Sequence, residues 1–102
     1  MMLFEIYYHV KFAKDIEKLK LNKVQLIKLK KKIEDISRNP YPKEHGGLGE
    51  SLNGNLKGLL KFRFDDNYRV VYRLEEKNGI MEVIIIGLRK DSSVYFDAIK
   101  RI

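Results

Sequence analysis

Positively charged residues alternate with apolar ones in the second half of the sequence. Lys61 and Arg63 are separated by one residue, and Arg69 follows in the next apolar stretch. Alternate residues of a β-strand point to the same face, so a strand here would place Lys61 and Arg63 side by side. Arginine binds phosphate through two parallel hydrogen bonds, whereas lysine acts as a point charge. The pattern therefore favours a surface that binds phosphate groups.

Two residues nearer the C-terminus can join this surface. Arg89 ends a strongly apolar stretch, and Tyr95 lies in the segment directly after it. Together the residues form a set that we term the cationic cluster, namely Lys61, Arg63, Arg69, Arg89 and Tyr95. We expect this cluster on an exposed sheet face that no helix covers. Such a face can also be an ordinary hydrated surface, and the spacing alone leaves that interpretation open.

Other common catalytic sites lack the residues that they need. The chain has no cysteine, which excludes disulfides, thiolate metal sites and thiol nucleophiles. His9 and His45 are not spaced as a pair of metal ligands, and no serine lies in a nucleophile elbow. Gly46, Gly47 and Gly49 do not match a nucleotide-binding motif, so we interpret them as loop residues. We expect no metal ion and no organic cofactor.

The composition is that of one small basic domain. The 102 residues include 21 lysines and arginines against 14 acidic residues, which gives a formal net charge of +7. This charge favours nucleic acid or an acidic protein as a partner, and it is also compatible with a hydrated surface without one. Residues 1–10 lack the basic and long apolar segments of a signal peptide, so we expect no secretion, and no apolar run reaches the length of a membrane span. We expect one cytoplasmic domain over residues 1–102, without membrane contact.

The first half of the sequence predicts a strand followed by two helices. Residues 3–10 are mostly aromatic and apolar, as in a strand. Helical spacing of apolar residues then begins at residue 12 and again within residues 24–37. The two apolar stripes consist of Phe12, Ala13, Ile16 and Leu19, and of Leu26, Leu29, Ile33 and Ile36. Pro40 and Pro42 end the second helix, because proline has no N–H to donate.

The second half predicts three strands and a closing helix after a glycine-rich loop. The loop covers residues 43–58, with a short strand around residues 48–52. The strand segments are residues 59–64, 68–75 and 80–88, and the closing helix follows an N-cap at residues 91–93. Asn78-Gly79 predicts a hairpin turn. The unbroken apolar run of residues 83–86 indicates a central strand that is covered on both faces.

These elements predict an α+β fold in the order β-α-α-β-β-β-α. The N-terminal strand would be followed by a helical hairpin that packs on one face of an antiparallel sheet. Segments of the chain resemble toxins of the RelE/ParE superfamily. Residues 59–63 with 67–73 resemble the pattern K-x-R … Y-R-V-x-Y, and residues 83–101 resemble V-I-x-I-G-x-R … V-Y … A-x-K-R. Residues 52–58 are similar to the L-x-G … L-x-G approach to the sheet. The resemblance spans nearly the whole chain and implies a RelE-like fold.

The superfamily contains RelE-like toxins that cleave messenger RNA and ParE-like toxins that poison gyrase, and these share one fold. This chain is similar to the RelE-like branch in Arg69, Arg89 and Tyr95. The turn at residues 64–67 differs by one residue from the RelE spacing, which leaves the family's two basic strand positions unassigned. The resemblance implies the toxin of a type II toxin-antitoxin system, a nuclease acting in the ribosomal A site. The alternatives are a ParE-like gyrase inhibitor and a non-catalytic RNA-binding module.

The implied reaction is attack by a ribose 2′-hydroxyl that leaves a 2′,3′-cyclic phosphate. It needs a base, charge neutralisation at phosphorus and a proton for the 5′-oxygen. Cations around Tyr95 would lower the pKa of its phenol and make it the base. Arg69 would neutralise the phosphate charge, and Arg89 would bind phosphate or assist the leaving group. Lys61 and Arg63 would hold the RNA backbone. The implied partners are messenger RNA, the 70S ribosome and an acidic, inhibitory antitoxin.

Overall fold

The chain folds into a five-stranded sheet with three α-helices in a computed structural model that describes residues 3–56 and 58–102. The elements are β1 (Glu5–Tyr8), α1 (Phe12–Leu19), α2 (Lys23–Ser37), β2 (Glu50–Ser51), β3 (Leu59–Phe64), β4 (Tyr68–Glu75), β5 (Ile80–Leu88) and α3 (Ser93–Arg101). Single 3₁₀ turns cover Lys43–His45, Gly54–Leu56 and Glu76–Asn78. The predicted order of elements and the α+β class are confirmed. The first strand is shorter than predicted.

The five strands form one mixed sheet in the order β1-β5-β4-β3-β2. β1 pairs with β5 in parallel, and the other neighbours are antiparallel. β1 reaches only residues 80–83 of β5. Opposite Val71 and Tyr72 the register shifts by one residue, and Ile84 is the extra residue of this β-bulge. The C-terminal half of β5 therefore extends beyond the strand that pairs with its outer edge.

Helices cover both faces of the sheet. On one face α1 and α2 pack on a core that includes Phe62, Tyr72 and Val83, as the helical pattern predicted. On the other face α3 packs through Val94 and Ala98 on a second, smaller core. The bulge turns both Ile84 and Ile85 toward α3. The prediction that β5 is covered on both faces is confirmed, but the face of the cationic cluster also carries α3, so it is not free of helices.

The predicted apolar stripes of the helices are wrong at two positions. Ala13 is exposed and Leu26 is 38% exposed, and both line a groove of about 410 Å³ between the end of β1 and the helical hairpin. The polar residue Asp15 is 8% exposed, although its position in the sequence suggested solvent contact. Its burial follows from an ion pair with Arg101 on the distant helix α3.

Two local predictions are confirmed and gain detail. The β4–β5 hairpin turn at Asn78-Gly79 is a 3₁₀ turn that ends in Gly79, whose φ of 65° is left-handed. The predicted N-cap of α3 within residues 91–93 is also present. Asp91 Oδ1 accepts a hydrogen bond from the Ser93 N–H at 3.0 Å, whereas the side chain of Ser92 makes no capping hydrogen bond.

Candidate active site

Three cations of the cationic cluster lie on one sheet face, as alternation predicted. Arg63 on β3 is the cross-strand partner of Arg69 on β4, and Arg69 in turn pairs with Gly87 on β5. Lys61 lies two residues before Arg63 and pairs with Val71, which belongs to the core under α3. Directly opposed residues of antiparallel strands share a face. The cations therefore border α3 on the side of the sheet away from the helical hairpin.

Helix α3 brings the phenol of Tyr95 into this row of cations. Lys61 Nζ lies 3.4 Å from Tyr95 Oη and donates a hydrogen bond to it. The same ammonium lies 5.6 Å from the centroid of the tyrosine ring. Both residues are half-buried. The phenol oxygen of Tyr95 therefore lies beside a cation on the same face as Arg63 and Arg69.

Arg69 is more deeply buried than expected for an arginine on an open sheet face. It is 7% exposed, and its Nη1 donates to the carbonyl oxygen of Tyr68 at 3.1 Å. Gly87 beside it has no side chain, and Val94 of α3 packs over it instead. Within residues 3–56 and 58–102, no carboxylate forms an ion pair with Arg69 at 4.0 Å or less. A guanidinium without a carboxylate partner retains N–H donors for an external anion.

The two remaining arginines of the cationic cluster are exposed and lie at its borders. Arg63 Nε lies 3.8 Å from Glu50 Oε2. Arg89 follows the end of β5, and its backbone N–H donates to the carbonyl oxygen of Asn67 at 2.7 Å. It lines an open cavity of about 530 Å³ together with Tyr68 of the β3–β4 hairpin. The structure thus joins Lys61 directly to Tyr95 but places Arg89 beside the hairpin turn.

One acidic residue of this site was missed by the sequence analysis. Glu50 on β2 is the cross-strand partner of Lys61, so a carboxylate lies on the face of the cationic cluster. The sequence did predict a short strand around residues 48–52. Its register could not be read from two paired residues, because so short a strand carries no alternation. Glu50 pairs with Arg63 and thereby reduces the positive charge at that border.

The histidines take no part in this arrangement. His9 Nδ1 accepts a hydrogen bond from the Lys11 N–H at 3.1 Å. His45 is exposed and lies in the first 3₁₀ turn. Over the described ranges, no group of three or more histidines and carboxylates could hold a metal ion. None of the helices described is both long and apolar enough to cross a membrane.

Comparison with known proteins places the chain in a family. Residues 6–92 match the family model of the ParE toxin of the type II toxin-antitoxin system parDE. No curated protein matches the chain in sequence. Among solved structures, a free E. coli RelE toxin with two arginines replaced by alanine is similar, with a TM-score of 0.76, 26% identity and 99% of each chain covered.

Two complexes contain a chain with the same fold. One is the RelBE2 toxin-antitoxin complex of Mycobacterium tuberculosis, with a TM-score of 0.72, 22% identity, and 89% of this chain and 97% of that chain covered. The other is the archaeal RelE-RelB complex of Pyrococcus horikoshii, with a TM-score of 0.61, 18% identity, and 89% and 100% covered. The chain belongs to the ParE toxin family of type II toxin-antitoxin systems, within the RelE/ParE superfamily.

Proposed function

We propose that this toxin is a ribosome-dependent endoribonuclease that cleaves messenger RNA in the ribosomal A site and so inhibits translation. The observation that supports the proposal most directly is the contact between Lys61 Nζ and Tyr95 Oη at 3.4 Å. It places a candidate base next to a cation, on the face where Arg63 and Arg69 pair across two strands. The likeness to E. coli RelE, at 26% identity over 99% of both chains, supports the RelE-like assignment.

The proposed reaction uses the side chains as follows. Tyr95, as phenolate, takes the proton of the 2′-hydroxyl, and Lys61 stabilises the phenolate before the transfer. The 2′-oxygen then bonds to phosphorus while the bond from phosphorus to the 5′-oxygen breaks. Arg69 neutralises the charge that develops on the phosphorane oxygens. Arg89 binds phosphate or assists the departing 5′-oxygen, which takes up a proton from water, and Arg63 holds the RNA backbone. The products are a 2′,3′-cyclic phosphate and a 5′-hydroxyl.

Dependence on the ribosome follows from what the site lacks. Near neutral pH a phenol is a weak base and a guanidinium, already protonated, is not a base, so correct placement of the RNA has to supply much of the rate. The net charge of +7 favours docking on ribosomal RNA, because a positive surface attracts the toxin to a polyanion. Activity in this form also implies that the toxin acts in the cytoplasm, where ribosomes translate.

The family model favours one alternative function. Its description is that of a ParE toxin, and the shared fold is compatible with a ParE-like toxin that inhibits gyrase without nuclease activity. Such a toxin would not need the contact between Lys61 and Tyr95 for any chemistry. The two functions therefore differ in their dependence on the Tyr95 hydroxyl.

One experiment separates these functions. Purified toxin is added to ribosomes that translate a defined messenger RNA, and RNA 5′ ends are mapped by primer extension. New ends within the codon in the A site, absent with Tyr95→Phe and with naked RNA, support the nuclease. A parallel supercoiling assay with purified gyrase tests the alternative. Inhibited gyrase with intact messenger RNA would overturn the proposal, and bound but uncut RNA would indicate a non-catalytic RNA-binding module.

We further propose that a protein antitoxin of acidic character inhibits this toxin. Similar RelE chains are seen in complexes with RelB antitoxins and with a RelB peptide. The basic surface of this chain favours an acidic partner. Such an antitoxin would cover the cationic cluster or displace α3, and either event would separate Tyr95 from RNA.

A further inference from the structure

Helix α3 is fixed at its C-terminal end by an ion pair to the first helix. Arg101 Nη1 and Nη2 donate to the two carboxylate oxygens of Asp15 at 2.7 Å and 2.8 Å, although 86 residues separate them. The side chains are only 13% and 10% exposed. The hydrogen bonds that Arg101 donates to Asp15 raise the pKa of Arg101 above its ordinary value. This is the geometry of a two-point guanidinium–carboxylate contact, which lysine does not reproduce.

The ion pair lies on the part of β5 that extends beyond β1. Arg101 Nη1 also donates to the carbonyl oxygen of Ile84, the bulge residue, at 2.8 Å. The backbone N–H of Ile86 donates to Asp15 Oδ2 at 3.4 Å. Asp15 and Arg101 thus bind backbone groups of β5 where the pairing with β1 has ended. Buried backbone groups need such partners, and here two side chains supply them.

The N-terminal end of α3 is held by close packing. A Cβ atom on Gly87 would lie 2.8 Å from Val94 Cγ2, so the helix can approach β5 this closely only over a glycine. Val94 is 3% exposed, and Tyr95 is the next residue along the helix. The contact at Gly87 and the ion pair at Arg101 therefore fix the two ends of the helix that carries the phenol.

We propose that Asp15 and Arg101 are positioning residues, which clamp α3 on the sheet and thereby hold Tyr95 against Lys61. The clamp itself rests on the contacts of the ion pair with β5. Its consequence for catalysis rests on the proposed nuclease function. Neither residue touches the row of cations in β3 and β4, so each acts through Tyr95. Removing one partner leaves the other buried without its counter-charge, which favours the detachment of α3.

Hydrogen exchange tests the clamp without any assumption about activity. In Arg101→Gln and in Asp15→Asn, we expect the amides of residues 97–101 to exchange at least about tenfold faster, with the amides of β4 unchanged. The control is Arg38→Gln, which removes the same charge from an exposed ion pair with Asp35. Unchanged exchange in α3 would overturn the proposal. So would equal acceleration in β4, because the ion pair would then support the whole fold.

Two further variants guard against a failure to fold. Arg101→Lys keeps the charge but loses the two-point contact, so we expect exchange in α3 between that of the native protein and that of Arg101→Gln. Gly87→Ala pushes on Val94 at the opposite end of α3 and should also accelerate exchange there. If both milder variants left α3 as protected as in the native protein, the clamp would be refuted even if Arg101→Gln did not fold.

Single-turnover cleavage at saturating ribosomes tests the catalytic consequence. We expect Arg101→Gln to lower the cleavage rate and to leave ribosome affinity nearly unchanged. The variant that combines Arg101→Gln with Tyr95→Phe should cut no more slowly than Tyr95→Phe alone, because Arg101 acts through the phenol. Additive losses would refute a positioning role. If the native toxin cleaves nothing on ribosomes, the proposed function fails, whereas the exchange experiment still decides on the clamp.

Discussion

The ammonium of Lys61 donates a hydrogen bond to the phenol oxygen of Tyr95 at 3.4 Å, across 34 residues of sequence. Lys61 belongs to β3, and Tyr95 to the helix that packs on the same sheet face. A phenol is a poor base at neutral pH, so the proposed reaction needs a partner that acts on the phenol oxygen. This contact is therefore the feature of the site on which the proposed chemistry depends most.

Tyr95→Phe tests the phenol as the base. The substitution removes one oxygen and keeps the ring, so any stacking on a nucleobase, worth about 1–3 kcal/mol, is retained. We expect cleavage on ribosomes to fall at least about a hundredfold, with ribosome affinity nearly unchanged, because general base catalysis is typically worth that much. Rates come from single-turnover primer extension. A fall of less than about tenfold would make Tyr95 a stacking residue, with catalysis left to the arginines.

Lys61→Met tests the cation beside the phenol. It keeps much of the aliphatic chain and removes the ammonium, so we expect cleavage to slow by about tenfold or more. Lys100→Met is the matched control, since Lys100 is also a lysine over an aromatic ring of α3, 4.9 Å from the centroid of Phe96, but lies outside the cationic cluster. Equal rates for the two variants would show that only the net charge of the toxin matters.

Substitution of Arg69 and of Arg89 should differ in the effect on stability but not in the effect on toxicity. Arg89→Ala truncates an exposed side chain and should change the free energy of unfolding by no more than about 0.5 kcal/mol. Arg69→Ala removes a side chain that is 7% exposed and should cost roughly 1–3 kcal/mol. Urea unfolding measures both. Each folded variant should fail to arrest growth, and a variant as toxic as the native protein would remove that arginine from the site.

Binding of the antitoxin should depend on salt. If an acidic partner covers the cationic cluster, raising the salt concentration from about 0.05 to 0.5 M screens the attraction and weakens binding. Titration calorimetry with the cognate antitoxin measures the change in Kd. An affinity that is the same at both concentrations would indicate an apolar interface, for which the groove between β1 and the helical hairpin offers a surface.

Tyr72 should make the fold sensitive to alkaline pH. Its side chain is fully buried and donates a hydrogen bond to the carbonyl oxygen of Pro40 at 2.7 Å. Burial raises the pKa of Tyr72 above its ordinary value, and the charge of Glu50 adds to the effect. The folded state thus retains the phenol proton that the unfolded state loses above about pH 10. The contribution of Tyr72 to the free energy of unfolding is therefore complete below about pH 10 and decreases as the pH rises above that value.

The variant Tyr72→Phe isolates this contribution. Near neutral pH it should lower the free energy of unfolding by roughly 1–2 kcal/mol, because the Pro40 carbonyl loses its buried donor. As the pH rises above about 10, the difference from the native protein should shrink, since phenylalanine does not ionise. Urea unfolding at a series of pH values measures the difference. A constant difference would contradict the assignment of the alkaline effect to Tyr72.

Local patterns in the sequence determined much of the fold and part of the site. The three long strands begin and end where alternation and turn residues predicted, at residues 59–64, 68–75 and 80–88. The shared face of Lys61 and Arg63 follows from the two-residue period of a strand, and the register of the β3–β4 hairpin adds Arg69 to that face. The family patterns that cover these strands agree with the toxin fold.

The tertiary structure alone decided the features that depend on contacts between distant segments. The burial of Arg69, the place of Glu50 beside Lys61 and the ion pair of Asp15 with Arg101 all depend on which elements meet. Hydrophobic periodicity records which face of an element is apolar, but it does not record which strand edge stays unpaired or where a bulge shifts the register. The local sequence around Asp15 predicts an exposed position on α1. Asp15 is buried because β5 extends beyond β1 and because α3 places the guanidinium of Arg101 at the same sheet edge.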